Sequence, residues 1–190
     1  MPQKKIIFWL LALLTLQLNA QTYPSALVTL FNGDKSIFLD EFADPFRPRI
    51  RTTIFFTDFN QSSWSFRLRL TIKGPSGLQL RTNTNLRPER PIAVFPGQSK
   101  TLEGADLGWY FDPAHLDFTG LDKEQFTKNK RLPEGPYTFC FEALDYESGK
   151  ELSLPACASA WLSLSDPVII TAPVNGAVIE NTGLPSLIFQ

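Results

Sequence analysis

Tyr137–Leu164 reads YTFCFEALDYESGKELSLPACASAWLSL, and its folding decides the architecture. Closed about Ser148-Gly149 as a two-residue hairpin loop, with Glu147 facing Lys150, the stretch sets Cys140 directly opposite Cys157. Tyr137, Phe139 and Phe141 then face Ala160, Ala158 and Ala156, so each large side chain meets a small one on one face of the sheet. The other face carries Thr138, Cys140, Glu142, Ser153, Cys157 and Ser159 and is mostly polar. Counted from the turn, the cysteines occupy a non-hydrogen-bonded pair, where side chains approach most closely. Pro155 falls on the same kind of site, where its missing N–H costs this pair nothing. A slip of one residue would destroy all of these matches. The register therefore predicts a structural Cys140–Cys157 disulfide.

The chain has 190 residues, enough for one domain with a sizeable core plus targeting and linker sequence. Its 18 basic and 19 acidic residues nearly cancel, so the electrostatic footprint of a nucleic-acid binder is absent. Fifteen prolines, 16 phenylalanines and no long helical periodicity point to a β-rich domain with punctuated turns.

Residues 1–20 read as a secretory signal peptide: Lys4 and Lys5 precede an apolar run from Ile6 to Leu16, and Leu18 and Ala20 sit at −3 and −1 before Gln21. The run is shorter than the roughly 20 apolar residues of a membrane span. Export to the periplasm, the outer surface or the medium is expected, with no transmembrane span after cleavage. Such a compartment permits the disulfide.

Downstream, Tyr23–Phe59 reads as extended segments broken by turns, of which the strand-like Ala26–Phe31 and Ile37–Phe42 flank an Asn32-Gly33-Asp34-Lys35 turn signal. Arg49–Phe59 is strand-like. In Trp64–Ile72, Trp64, Phe66, Leu68, Leu70 and Ile72 alternate with Ser65, Arg67, Arg69 and Thr71, the mark of one buried and one wet face. Gly74-Pro75-Ser76-Gly77 ends that strand and Leu78–Thr82 begins another. Asn83–Pro91 is a loop, and Ile92–Phe95 and Ser99–Leu102 flank a Pro96-Gly97 turn. Ala105–Phe111 suits a helical turn. Leu121–Asn129 suits one short helix, with Asp122 as N-cap and Leu121 and Phe126 as its staple.

Candidate sites are few. Arg49, Arg51, Arg67 and Arg69 fall at alternate positions of what read as neighbouring strands. They form either a basic stripe for an anionic glycan or a solvated face whose arginines pair with nearby acids. Arg67, Arg69 and Trp161 are the candidate ligand-binding residues. Trp64 alternates with the core, whereas Trp161 lies on the polar hairpin face, exposed or covering the disulfide. His115, the only histidine, has no triad or ligand signature around it and reads as a loop residue. Asp106, Asp112, Asp117 and Asp122 match no calcium-loop spacing, and the better uses for Asp112 and Asp122 are a turn and a cap. No catalytic residue, metal site or cofactor is indicated.

The segments TLEGADLGWYFDPAHLDFTG, RLPEGPYTFCFEALDYESGKELS and ACASAWLSLSDPVI resemble the N-terminal region of the TANFOR-domain family, large secreted surface proteins of the Bacteroidota. The likeness is strongest from about Arg67 to Asp166. It implies a secreted β-domain followed by fibronectin-III-like domains more than it implies a mechanism. Together the readings predict a mostly antiparallel, immunoglobulin- or fibronectin-like β-sandwich over 21–166. Beyond the boundary at Asp166-Pro167, 167–190 read as a linker and the truncated start of a second fibronectin-III-like domain. The expected function is that of a non-enzymatic surface module with a scaffold or adhesion role, its partners being cell-surface glycans or other surface proteins. The alternative is a carbohydrate-binding module.

Overall fold

Alternating burial sorts the chain into two antiparallel sheets packed face to face. The computed structural model describes residues 23–32 and 36–164. The expected signal peptide, residues 33–35 of the turn signal, the expected boundary at Asp166-Pro167 and the 167–190 segment lie outside the described residues. The strands are β1 (Ser25–Phe31), β2 (Ile50–Phe56), β3 (Trp64–Lys73), β4 (Gln79–Thr82), β5 (Ile92–Val94), β6 (Ser99–Glu103), β7 (Leu116–Thr119), β8 (Gly135–Asp145) and β9 (Ala156–Leu162). Two short helices, α1 (Gly108–Phe111) and α2 (Lys123–Asn129), stand where one was expected. The small sheet has the order β1-β2-β6. The large one runs β7-β4-β3-β8-β9, with β5 also paired to β3. The fold is thus mostly β and antiparallel, as the alternation in the sequence required.

Phenylalanines join the sheets. Phe139 on β8 lies 5.3 Å from Phe31 on β1 and 4.8 Å from Phe42, and Phe42 stacks on Phe111. Farther along, Phe56 on β2 stacks on Trp64 at 5.0 Å. Trp64 is buried, as its place in the alternation predicted. Phe42 reaches the core from a 3-10 turn, Asp40–Ala43, and not from a strand. This corrects the strand expected over Ile37–Phe42. Only Phe38 makes a bridge, to Arg131, and the chain then curls so that Ile37, Leu39 and Phe42 all point inward. Spacings of two and then three residues fit a turn and not a pleat.

The central hairpin keeps the expected register along its length. Tyr137, Phe139, Cys140 and Phe141 pair with Ala160, Ala158, Cys157 and Ala156. The cysteines form a disulfide across a Cα separation of 4.1 Å. The turn differs. Leu144 bridges Glu151 and Asp145 N donates to Lys150 O, so the loop has four residues, Tyr146–Gly149, and Glu147 does not face Lys150. Two residues, 142 and 143, then stand against four, 152–155, and the return strand bulges. Asp145 explains the longer loop: its carboxylate accepts from both the N–H and the hydroxyl of Ser148. Ser153 is consequently not on the wet face. It is buried, and its hydroxyl accepts from Ala143 N where a ladder carbonyl would have been. Pro155 sits within the bulge.

Two further differences bear on function. The Pro96-Gly97 turn forms, with Gly97 at φ 76° and Gln98 N donating to Phe95 O. Its flanking strands do not pair, however: β5 joins β3 and β6 joins β2, so the chain changes sheets there. Residues 116–119, not assigned in the sequence, form β7 against β4. Helix α2 starts as expected, Asp122 accepting from the N–H groups of Glu124 and Gln125.

Candidate binding face

Arg67 and Arg69 lie on the outer face of the large sheet, between the inward Phe66, Leu68 and Leu70. The register carries that face across the sheet. Arg67 adjoins Leu144 and Arg69 adjoins Glu142, while Thr71 leads through Cys140 to Cys157. Lys73 leads through Thr138 to Ser159, and Trp161, paired with Pro136, closes the row. All the candidate ligand-binding residues and the disulfide therefore share one face. Trp161 is 64% exposed, the outward aromatic the sequence singled out. Its partner Pro136 stands six residues along β8 from Glu142, about 20 Å at the usual strand rise. One small ligand cannot touch both Trp161 and the arginines.

The continuous four-arginine stripe does not form. Arg49 and Arg51 flank the start of β2 in the small sheet, whereas Arg67 and Arg69 are on β3 in the large one. Their charges are also used locally. Arg49 pairs with Glu41 at 2.6 Å, and Arg51 donates to Asn32 Oδ1 at 2.6 Å. Arg69 binds Glu142 and, at 2.8 Å, Glu151, which ties β3 to β8 and to the return strand. Burial works against the Arg69 charge, but the hydrogen bonds and charges of Glu151 and Glu142 outweigh it and raise its pKa.

Arg67 is different. Nη1 donates to Leu86 O, Nη2 packs against Gly149, and Nε is buried with no hydrogen-bond partner. The loop over it is tethered: Arg87 pairs with Glu147 and lies over the Tyr146 ring, and Tyr146 donates its hydroxyl to Pro88 O. Below Arg67 the large sheet is split. β5 pairs with β3 only at residues 64–66 and β4 only at 71–73, which leaves the intervening N–H groups without a strand. Two side chains take the place of a strand: Tyr110 Oη accepts from Leu68 N at 3.0 Å and Thr82 Oγ1 from Leu70 N at 2.9 Å. Burial pushes the Tyr110 hydroxyl up to about 12. The split opens outward as a slot of about 220 Å³ between Arg67, Trp109, Thr84 and Gly149. Trp109 is held by stacking on His115 at 4.2 Å, and His115 Nδ1 bonds to Trp109 O. The lone histidine thus has a structural partner.

A larger polar cleft, about 650 Å³, opens on the other side of the Tyr146–Gly149 turn, among Tyr23, Asp58, Asn60, Trp64, Lys150 and Glu151. Each carboxylate there is engaged. Asp58 accepts from the backbone and side chain of Asn60, and Glu151 from Arg69. Asp145, also lining it, is held below its ordinary value by the Ser148 hydroxyl and N–H bonds. General acid catalysis needs a carboxyl pushed upward, and the bonds to Asp145 favour its charged form. Trp64 offers the cleft little ring surface, because it is 7% exposed and stacked on Phe56.

Three of the four aspartates considered for calcium serve separate uses. Asp112 caps Ala114 N, Asp117 accepts from Asn83 and Asp122 caps α2. Among the described residues no cluster of three metal-ligating side chains occurs, and no helix is long and apolar enough to cross a membrane. The roles of Tyr110, Trp109 and Leu86 carried no local signal in the sequence, since they depend on which loop lands over the split. No protein-family model matches this chain, and a search of curated proteins finds none similar to it.

Proposed function

We propose that the protein is an exported, non-enzymatic surface module with a scaffold or adhesion role, related to the N-terminal region of TANFOR-domain proteins. The observation that carries this reading is the disulfide-stapled hairpin, whose outer face presents Trp161 and the Arg67 slot on a rigid sheet. A disulfide of this kind suits an oxidising compartment, and the signal-like N-terminus suits export. The carboxylates of the cleft beside the Tyr146–Gly149 turn are engaged by hydrogen bonds and an ion pair, which favours binding over acid–base chemistry. Glycan recognition is the second reading, and the polar lining of the cleft beside the Tyr146–Gly149 turn favours it.

Fractionation of the source cells tests the proposal. The chain should appear in the envelope or the medium, with both cysteines oxidised, and beads coated with the mature domain should adhere to surfaces bearing its partner. Recovery of the chain in the cytoplasm with two free thiols would contradict it.

A further inference from the structure

The two outer faces of the sandwich differ in character. That of the large sheet carries Arg67, Arg69, Lys73 and Glu142, whereas that of the small sheet has one charge pair at one end and apolar side chains beside it. The register arranges its outward residues in three rows. Ala26, Phe55 and Ser99 form the first, Val28, Thr53 and Thr101 the second, and Leu30, Arg51 and Glu103 the third. Val28, Leu30 and Phe55 are 48%, 55% and 43% exposed, so no described element seals them from solvent. A contiguous apolar patch of this kind marks an interaction surface. Its charges are matched locally: Arg51 lies 3.8 Å from Glu103 and donates to Asn32 Oδ1. Thr53 and Thr101 hydrogen-bond to each other at 2.9 Å, which lowers the cost of covering them.

From this pattern we infer that the outer face of the small sheet is a homodimer interface, on which a second copy of the chain packs face to face across a two-fold axis along the middle row. The charges choose that axis. A two-fold along the strands would set Arg51 against its own copy and Leu30 against Glu103. A two-fold along the middle row exchanges the first and third rows instead, and each strand faces its own copy reversed. Leu30 then meets the partner's Ala26, large against small. Arg51 meets the partner's Phe55, a cation over a ring, and Glu103 meets the partner's Ser99. Only Val28, Thr53 and Thr101, all uncharged, face their own copies. Sheets packed face to face lie about 10 Å apart, within reach of these side chains. The nine residues would bury roughly 500 Å² per protomer, about 1,000 Å² in all, the lower limit for a specific interface and the mark of a weak dimer. The outer faces of the two large sheets then point away from each other, so the dimer presents the Trp161 face twice, which suits adhesion through avidity.

The test is sedimentation equilibrium of the mature, oxidised protein over about 10–500 µM, a range that spans weak association. A monomer–dimer equilibrium is expected. Across that range the nitrogen-15 amide signals of β1, β2 and β6 should shift, while those of β9 stay still. Val28→Glu and Thr53→Glu each place two like charges on the axis, and either should raise the dissociation constant about tenfold or more. Both side chains point outward, and an unchanged circular dichroism spectrum in either variant separates lost association from lost folding. A monomer at every concentration would overturn the assignment, whether the methyl groups of Val28 and Leu30 are then shielded from a soluble relaxation agent by another part of the chain or stand open for a different partner. A dimer indifferent to both variants, or one whose shifts fall on β9, would overturn it as well. Ligand binding by the large sheet is untouched by either result.

Discussion

Tyr110 shows how much one side chain carries in this domain. Its hydroxyl fills the place of a missing strand at Leu68 N, inside a fully packed core. Tyr110→Phe keeps the ring and removes the acceptor, so about 1–3 kcal/mol of stability should be lost, read by urea denaturation. The same group makes the fold sensitive to alkali. Burial raises both Tyr110 and Tyr137 to about 12. A raised pKa means that the folded state keeps its proton while the unfolded chain loses it near 10. Stability from these groups is therefore complete below about pH 10 and fades as pH climbs toward 12. Absorbance at the phenolate band should show two tyrosines ionising late, together with unfolding; ionisation near pH 10 in the folded protein would contradict their burial. The sequence marked Tyr110 only as part of a helical turn. Its partner is 42 positions away and no spacing rule connects them.

The hairpin of β8 and β9 was legible because its signal is local. Large residues facing small ones, two cysteines and the strand period all agree within 28 residues, and the register followed. The turn misread has an equally local cause. Gly149 was taken as the second residue of a tight turn, whereas it closes a longer one through its N–H to Asp145 O. The Asp145 side chain, reaching Ser148, outweighed the shorter connection. The disulfide, spanning 17 residues, should contribute about 3 kcal/mol by restricting the unfolded chain. Cys157→Ala should lower the denaturation midpoint accordingly, and unfolded, unreduced wild-type protein should titrate with no free thiol. An unchanged midpoint would show that the strands hold without the staple. Ile37–Phe42 failed for another reason: its buried positions alternate at first, and only the depth of Phe42 in the aromatic cluster reveals the turn.

At the scale of the molecule, alternation predicted two faces but not which strands share a sheet. Arg49 and Arg67 have similar settings in sequence, yet the change of sheets after Pro96-Gly97 places β6 with β2 and leaves β3 among β4, β5 and β8. The proposed stripe was lost to that topology, whereas the outer face bearing Arg67, Arg69 and Trp161 survived because it belongs to one continuous sheet. The last described contact of the chain is Leu164 N with Glu134, just past the end of β9. Mature protein ending at Leu164 should melt at the temperature of the longer chain; a large drop would make 165–190 an integral part of this domain.

The measurement that reaches the central claim most directly is mass spectrometry of ligands before and after incubation with the oxidised mature domain. A glycan and peptide library would be passed over immobilised protein, and bound and unbound fractions compared. The account predicts that ligands are retained and recovered intact. Reproducible appearance of cleaved product, surviving repurification of the protein, would contradict it.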